Sequence, residues 1–231
     1  MIDITMTAVF RPEVLEKTLT SFRHNLFGSF EKYKLVVNID PVTAGATSQD
    51  VLKVIYKFFK EDQVKYNIPK EAHFGKALVW CWNNIESDYV FHLEDDWELI
   101  NKVDMNDLLN IHKDPRIATA RLIIIKGKYM DSYKKDGSLY YTLNNKLSLN
   151  PCLIKASYIK GIVPLMDENK NPELQIVHAK TTSKLGQYSA KWNHVILNNK
   201  NNPLVKNIGK DWRKEIGLIR AKSDFVTWTQ V

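Results

Sequence analysis

Three consecutive carboxylates, Glu94, Asp95 and Asp96, follow the apolar run Tyr89-Val-Phe-His-Leu93 and are closed by Trp97. Adjacent carboxylates are hard oxygen donors, the type that holds Mg²⁺ or Mn²⁺ together with phosphate groups. The same acids can equally form a solvated turn, so their flanks decide what they do. The run before them is made of strand formers with only His92 polar, which suits a central strand covered on both faces. Ligands of open α/β sheets bind outside the carboxyl ends of the strands, which is where this acidic run lies. Two other stretches carry chemistry. Gly75-Lys76 opens a helical pattern, and a first turn with unpaired N–H groups beside a lysine can take an anion; glycine there also simply permits a tight turn. It is not a Walker loop, which needs a longer Gly-rich run ending in Gly-Lys-Ser/Thr. Asn171-Pro172-Glu173 reads as cap, first helical position and acidic first turn, so Glu173 serves either the helix or a reaction.

The elements that would position these residues alternate. Ile2, Ile4, Met6, Ala8 and Phe10 share one side of an opening strand, and Pro12 starts a helix with Val14, Leu15, Thr18, Leu19 and Phe22 on one face. Lys34 to Asp40 is a second apolar strand, stopped by Pro41 and ending in a carboxylate. Ser48 is placed to cap a helix with Val51, Leu52, Ile55, Phe58 and Phe59 on its apolar face. Val64 to Ile68 is a short strand, and the Gly75 helix, with Ala77, Leu78, Cys81, Trp82 and Ile85 on one side, leads to the Tyr89 strand. This order predicts a parallel sheet with helices packed on it. After Trp97, Asp104 caps a short helix, Ile117 to Ile125 reads as a strand, and Asp136-Gly137 marks an antiparallel hairpin. The helix after Glu173 is expected to end at Gly186, residues 198–203 form a polar loop, and Leu204 to Gly209 form a last short strand.

At 231 residues, 44% hydrophobic and 26% charged, the chain can bury one large core. Its two cysteines, Cys81 and Cys152, are too few and too far apart for a disulfide framework or a cysteine zinc site. The absence of a basic, apolar leader and of any stretch near ~18 apolar residues predicts a soluble, cytoplasmic protein. The charge of +7 and pI near 9.2 favour a polyanionic partner.

In their order along the chain these pieces resemble the glycosyltransferases with the GT-A fold, in the layout of the family-2-type and N-acetylglucosaminyltransferase-I-like enzymes. The resemblance is carried by Phe10-Arg11-Pro12 and its helix, the strand end at Asp40, the Gly75-Lys76 helix start, and the Asp-x-Asp signature present as Glu94-Asp95-Asp96. Val205-Lys-Asn207-Ile208-Gly209-Lys-Asp211-Trp212 is similar to the His-Ile-Gly segment that closes over metal and diphosphate, with Asn207 in the place of the histidine. The resemblance implies a single α/β domain with a Rossmann-like, mostly parallel sheet, helices on both faces and a small antiparallel acceptor-side subdomain. Residues 1–100 would bind the nucleotide sugar and residues 101–231 the acceptor. It also implies Mn²⁺ or Mg²⁺ held by Asp96 with Asn207, and a nucleoside diphosphate sugar, a UDP-sugar by family habit. Glu94 and Asp95 would contact ribose or metal-bound water. Phe10, Arg11 and Asp40 would hold base and ribose, with Gly75, Lys76 and Lys210 counted among the donor contacts. A carboxylate of the second half would deprotonate the acceptor and give inversion, with Glu173 first and Asp167 and Glu168 second.

For the acceptor, aromatics interleaved with the basic residues of the second half, among them Tyr188, Trp192 and Trp212, could stack on unpaired bases, and a small soluble transferase without a membrane anchor resembles the phage enzymes that glycosylate hydroxymethylated pyrimidines in DNA. A cell-surface glycan is the alternative acceptor. A nucleotide-sugar-binding protein without activity would have little use for three adjacent acids. A nucleotidyltransferase would need a Gly-rich phosphate loop where Phe10-Arg11-Pro12 stands.

Overall fold

The structure is a computed structural model and describes residues 2–43, 45–122, 134–136, 139–144, 147–198, 203–220 and 228–230. The first part alternates as the sequence predicts: β1 (Ile2–Phe10), α1 (Pro12–Phe22), β2 (Tyr33–Thr43), α2 (Ser48–Ile55), β3 (Val64–Asn67), α3 (Phe74–Asn83) and β4 (Tyr89–Glu94). Then follow β5 (Trp97–Leu99), α4 (Met105–Ile111), β6 (Ile117–Leu122), β7 (Lys134–Asp136), β8 (Leu139–Asn144), β9 (Cys152–Lys155) and α5 (Ala156–Ile162). The remaining elements are α6 (Pro172–Val177), α7 (Lys184–Ser189), β10 (Asn193–Asn198), β11 (Val205–Asn207), α8 (Gly209–Glu215), β12 (Leu218–Arg220) and β13 (Trp228–Gln230).

Among the described residues the main sheet has the order β3-β2-β1-β4-β9-β6-β10-β8-β7. Only β9 and β8 are reversed, so seven of its nine strands run one way. The architecture is α/β, a mostly parallel sheet as expected, with two small antiparallel pairs, β5 with β11 and β12 with β13, beside it. The period-2 pattern of β1 sets the layers. Ile4, Met6 and Ala8 join Leu15, Leu19, Phe22, Phe91 and Leu93 in a core under α1, α2 and α4. The opposite face meets α3 and α5, where Leu78, Trp82, Val90, Cys152, Ile154 and Tyr158 form a second core. Asp3, also buried, accepts bonds from the main-chain N of Glu86 and Ser87 and so fixes the approach to β4.

Several boundaries differ from the sequence reading for identifiable reasons. Strand β2 does not stop at Pro41: its register with β1 jumps from Val9 opposite Asp40 to Phe10 opposite Thr43. A bulge takes up the residue that cannot donate to the ladder. Thr47, not Ser48, caps α2, because Thr47 and Asp50 form a reciprocal capping box. Gly186 does not end a helix that starts at Pro172. That helix stops at Val177, and Gly186 lies inside α7, where a Cβ would overlap the carbonyl of Lys180. The hairpin strands β7 and β8 are antiparallel, but β8 pairs with β10 and extends the main sheet. The turn residues 137–138, residues 123–125 of the expected strand, and residues 199–202 of the expected loop lie outside the described residues. So do Lys126, Lys128, Tyr129 and Tyr133. No helix among the described residues is long and apolar enough to cross a membrane.

Candidate functional site

From β1 the chain moves outward to β2 and β3 and then returns to the other side of β1 as β4. This reversal makes a crevice outside the carboxyl ends of β1 and β4, the place where open α/β sheets bind ligands. The residues there are Phe10-Arg11 and Glu94-Asp95-Asp96, the two stretches singled out by sequence. Asp95 turns inward and is 1% exposed. It accepts from Arg11 Nε at 2.9 Å, from Arg11 Nη2, and from the main-chain N of Val9 at 2.9 Å. This fork locks the buried Arg11 to the turn after β4. Burial alone would lower the Arg11 pKa, but Asp95 and Asp96 outweigh it and the net shift is upward.

Asp96 lies under α8. Its Oδ2 is 3.2 Å from Arg11 Nη2 and 3.4 Å from Arg213 Nη1. Its carbonyl accepts from the N of Ile208 at 2.8 Å. Gly209 is required by this docking, since a Cβ there would overlap Asp96 Oδ2 and stand 2.7 Å from Arg11 Nη1. The short ladder of Trp97 to Asn207 and Val205 to Leu99 brings α8 here from far along the chain. Asn207 turns its Oδ1 to the N of Lys210 at 3.2 Å, as a cap of α8, and Lys210 is exposed. Trp212, from the same helix, stacks on the Arg11 guanidinium with 5.3 Å to the ring centroid. It also walls a cleft of about 530 Å³ together with Phe10, Pro12, Glu13, Gly45, Ala46 and Asp50. Gly45 has φ of +103°, which lets the loop between β2 and α2 turn along that wall.

Asp40 is not among the residues lining this cleft. It accepts from Asn38 Nδ2 at 2.7 Å and from the N of His73 at 3.1 Å, tying β2 to the start of α3. Burial pushes its pKa up to about 6 against these two bonds. Gly75 is buried under another segment: a Cβ there would overlap the carbonyl of Glu168 and approach that of Lys170 to 2.8 Å. The first turn of α3 is capped by His73, which accepts from the N of Lys76, and the Lys76 side chain is exposed. Gly75 therefore seats the loop that carries Asp167 and Glu168. Both acids are exposed, and Asp167 pairs with Lys170 at 3.3 Å and accepts from the N of Asn169.

Glu173 occupies the first turn of α6, after the cap by Asn171 and Pro172 at the first position. Its Oε1 accepts from Ser148 Oγ at 3.1 Å and from the N of Leu149. Glu94 accepts from Trp97 Nε1 at 2.9 Å, and its pKa is pushed up to about 8, chiefly by burial and then by Asp96, with Glu173 adding to the shift. Glu94, Asp96 and Glu173 thus share one electrostatic neighbourhood. The sequence places Trp212 at the end of the segment that resembles the one closing over the diphosphate, and also among the acceptor-side aromatics, whereas it marks Arg213 only as one of the basic residues of the second half. The signal that places both here is a short helix pattern, Gly209 to Glu215, with an acid in the first turn and bases in the last.

A divalent metal, expected here on Asp96 and Asn207, does not fit the donor set as it stands. Asp96 Oδ2 faces two guanidinium groups, Asn207 Oδ1 caps a helix, and among the described residues no three His, Cys, Asp or Glu side chains converge as ligands.

No protein-family model matches the sequence, and no curated protein matches it. Solved structures match its fold. S. aureus TarS 1-349 aligns with 14% identity and a TM-score of 0.57, over 94% of this chain and 63% of that one. The same protein in complex with UDP-GlcNAc aligns with 15% identity and a TM-score of 0.55, over 87% and 57%. The mannosyltransferase PcManGT from Pyrobaculum calidifontis, in complex with GDP-Man and Mn²⁺, aligns with 11% identity and a TM-score of 0.51, over 69% and 45%. This chain spans less than two thirds of each of these. The likeness establishes the GT-A fold.

Proposed function

We propose that the protein transfers a sugar from a nucleoside diphosphate sugar to a hydroxyl acceptor. The observation that carries this reading is the cleft beside the carboxyl end of β1 in a GT-A sheet, walled by Phe10 and Trp212, with Trp212 stacked on the Arg11 that ties to Asp95 and Asp96 at the end of β4. An aromatic wall suits a base, and guanidinium groups beside it suit a diphosphate. The donor reading favours a UDP-sugar, in line with the UDP-GlcNAc bound by TarS. Residues 1–100 supply most of the donor site and residues 101–231 the acceptor side, with α8 crossing back to close the donor cleft.

In the transfer step the acceptor oxygen attacks the anomeric carbon and its proton passes to Glu173. The bond from that carbon to the β-phosphate oxygen breaks, and its electron pair leaves with the nucleoside diphosphate. Attack opposite the leaving group inverts the centre. Both bonds to Glu173 among the described residues fall on Oε1, so Oε2 is the proton acceptor. Burial and the neighbouring Asp96 raise the Glu94 pKa, which favours its uncharged form beside the cleft. Asp167 and Glu168 are exposed and stand behind Glu173 as candidates for the base.

Stacking on unpaired DNA bases, expected of Tyr188 and Trp192, competes with their packing on Tyr158. A glycan or other compact hydroxyl acceptor needs no such stacking and is the reading adopted here. Incubation with a panel of UDP- and GDP-sugars, with and without added hydroxyl acceptors, tests the proposal through the nucleoside diphosphate released. Release from one donor, sharply reduced in Glu173→Gln, is expected. No release and no nucleotide binding across the panel would contradict it.

A further inference from the structure

We infer that the negative charge of the leaving diphosphate is met by the guanidinium of Arg213, held with Arg11 over Asp96, and not by a divalent cation. This rests on the reading of the cleft as a nucleoside diphosphate sugar site. A metal bound through a carboxylate needs that carboxylate's lone pairs and a surrounding free of competing cations. Asp96 fails the second condition, since its Oδ2 already faces two cations, Arg11 Nη2 at 3.2 Å and Arg213 Nη1 at 3.4 Å. Arg11 is not able to give way, because its fork is engaged by Asp95 and its face is covered by Trp212.

The closing segment reinforces the exclusion. Gly209 brings the backbone of α8 against Asp96 so closely that a Cβ does not fit, and Ile208 bonds the Asp96 carbonyl. Asn207, which stands where the resemblance has a histidine ligand, spends its amide oxygen on the N of Lys210. A metal bridging Asp96 and Asn207 would have to break both the cap and the guanidinium contacts.

What α8 supplies in exchange is positive charge. Arg213 follows Trp212, the residue that walls the cleft, and its side chain is 19% exposed, sheltered yet reachable. A guanidinium presents its N–H groups in a planar fork that matches phosphate oxygens, and it carries its charge at every working pH. Lys210 and Lys214 lie exposed on the same helix and add to the local field. When the anomeric C–O bond breaks, the electron pair moves to the β-phosphate oxygen, and Arg213 stabilises the charge that develops there. No co-reactant beyond donor and acceptor is needed.

The test is a calorimetric titration of UDP and GDP into the protein in EDTA and again in Mn²⁺, for the wild type, Arg213→Met and Arg213→Lys. Nucleoside diphosphate release from the active donor is followed in parallel. Wild-type affinity for the bound nucleotide should agree in the two buffers within about 3-fold, and release should persist in EDTA. Arg213→Met should slow release by about 10²–10³-fold, the usual loss when one preorganised donor is removed. Mn²⁺ should not restore it, while Arg213→Lys should keep part of the rate. Binding or release by the wild type that requires Mn²⁺ would overturn the inference and leave the donor reading standing; it needs no variant. An Arg213→Met protein that binds and releases like the wild type would also overturn it. Absence of nucleotide binding in both buffers would overturn the donor reading itself, and this inference with it.

Discussion

Replacing Asp95 by alanine should unfold the protein far more readily than its position among candidate ligand-binding acids suggests. Asp95 is 1% and Arg11 6% exposed. The carboxylate accepts two bonds from the guanidinium and one from the N of Val9, which belongs to the central strand β1. Truncation leaves a buried cation that keeps Asp96 at 3.2 Å and the face of Trp212. Removing one member of a buried ion pair costs about 3–5 kcal/mol. The orphaned Val9 N–H would add about 1–3 kcal/mol, whereas the contact to Asp96 offsets part of the loss. About 4 kcal/mol is therefore expected, and for a chain of this size it corresponds to a fall in Tm of roughly 8–16 °C. Asp95→Asn keeps the shape and one acceptor and should lose about half as much. In the Arg11→Met/Asp95→Leu double variant the stranded cation is gone and Asp96 keeps Arg213, so the ion-pair part of the loss should return while the Val9 N–H stays without its acceptor. Urea unfolding followed by circular dichroism measures all three. Asp95→Ala within about 1 kcal/mol of wild type, or a double variant no more stable than Asp95→Ala, would show that the pair does not anchor the site.

Glu173→Gln should reduce turnover by roughly 10²–10⁴-fold, the share of a general base, with nucleotide affinity unchanged. Near wild-type turnover would move the proton acceptor to Asp167 or Glu168. Gly75→Ala should cost about 1–3 kcal/mol, because the new Cβ meets the backbone of Glu168 and Lys170; a urea midpoint equal to wild type would rule out that close packing. Asp40 has its folded pKa raised to about 6, above the roughly 3.9 of an unfolded chain. The folded state therefore holds the extra proton, and the stability this group contributes is present below about pH 4 and lost as pH rises through about 6. Asp40→Asn should flatten that part of the curve by on the order of 3 kcal/mol; an unchanged slope between pH 4 and 7 would contradict the burial argument.

The first part of the fold is legible because each element there carries its own signal. The face of α1 read as Val14, Leu15, Thr18, Leu19 and Phe22 is the face that is buried, and the apolar run of β4 is a central strand. Legibility falls where long-range pairing decides. Strand β5 has three residues, Trp97 to Leu99, and exists because β11 reaches it from Val205 to Asn207. Strand β9, Cys152 to Lys155, lies reversed between β4 and β6 and has no alternation to mark it, since all four of its residues are buried. At the site, residue types at the strand ends point to the crevice, but partners do not follow from spacing. Asp95 and Arg11 meet across 84 positions, and Asp96 and Arg213 across 117. Gly75 illustrates the same limit: its signal is the need for close approach, and the approaching group proved to be the backbone of Glu168.

A crystal structure of the protein with a bound nucleoside diphosphate tests the central claim most directly. The account predicts the base in the cleft against Phe10 and Trp212 and the diphosphate within hydrogen-bonding distance of Arg213. A nucleotide bound elsewhere on the molecule, or crystals that take up none at saturating concentration, would contradict it.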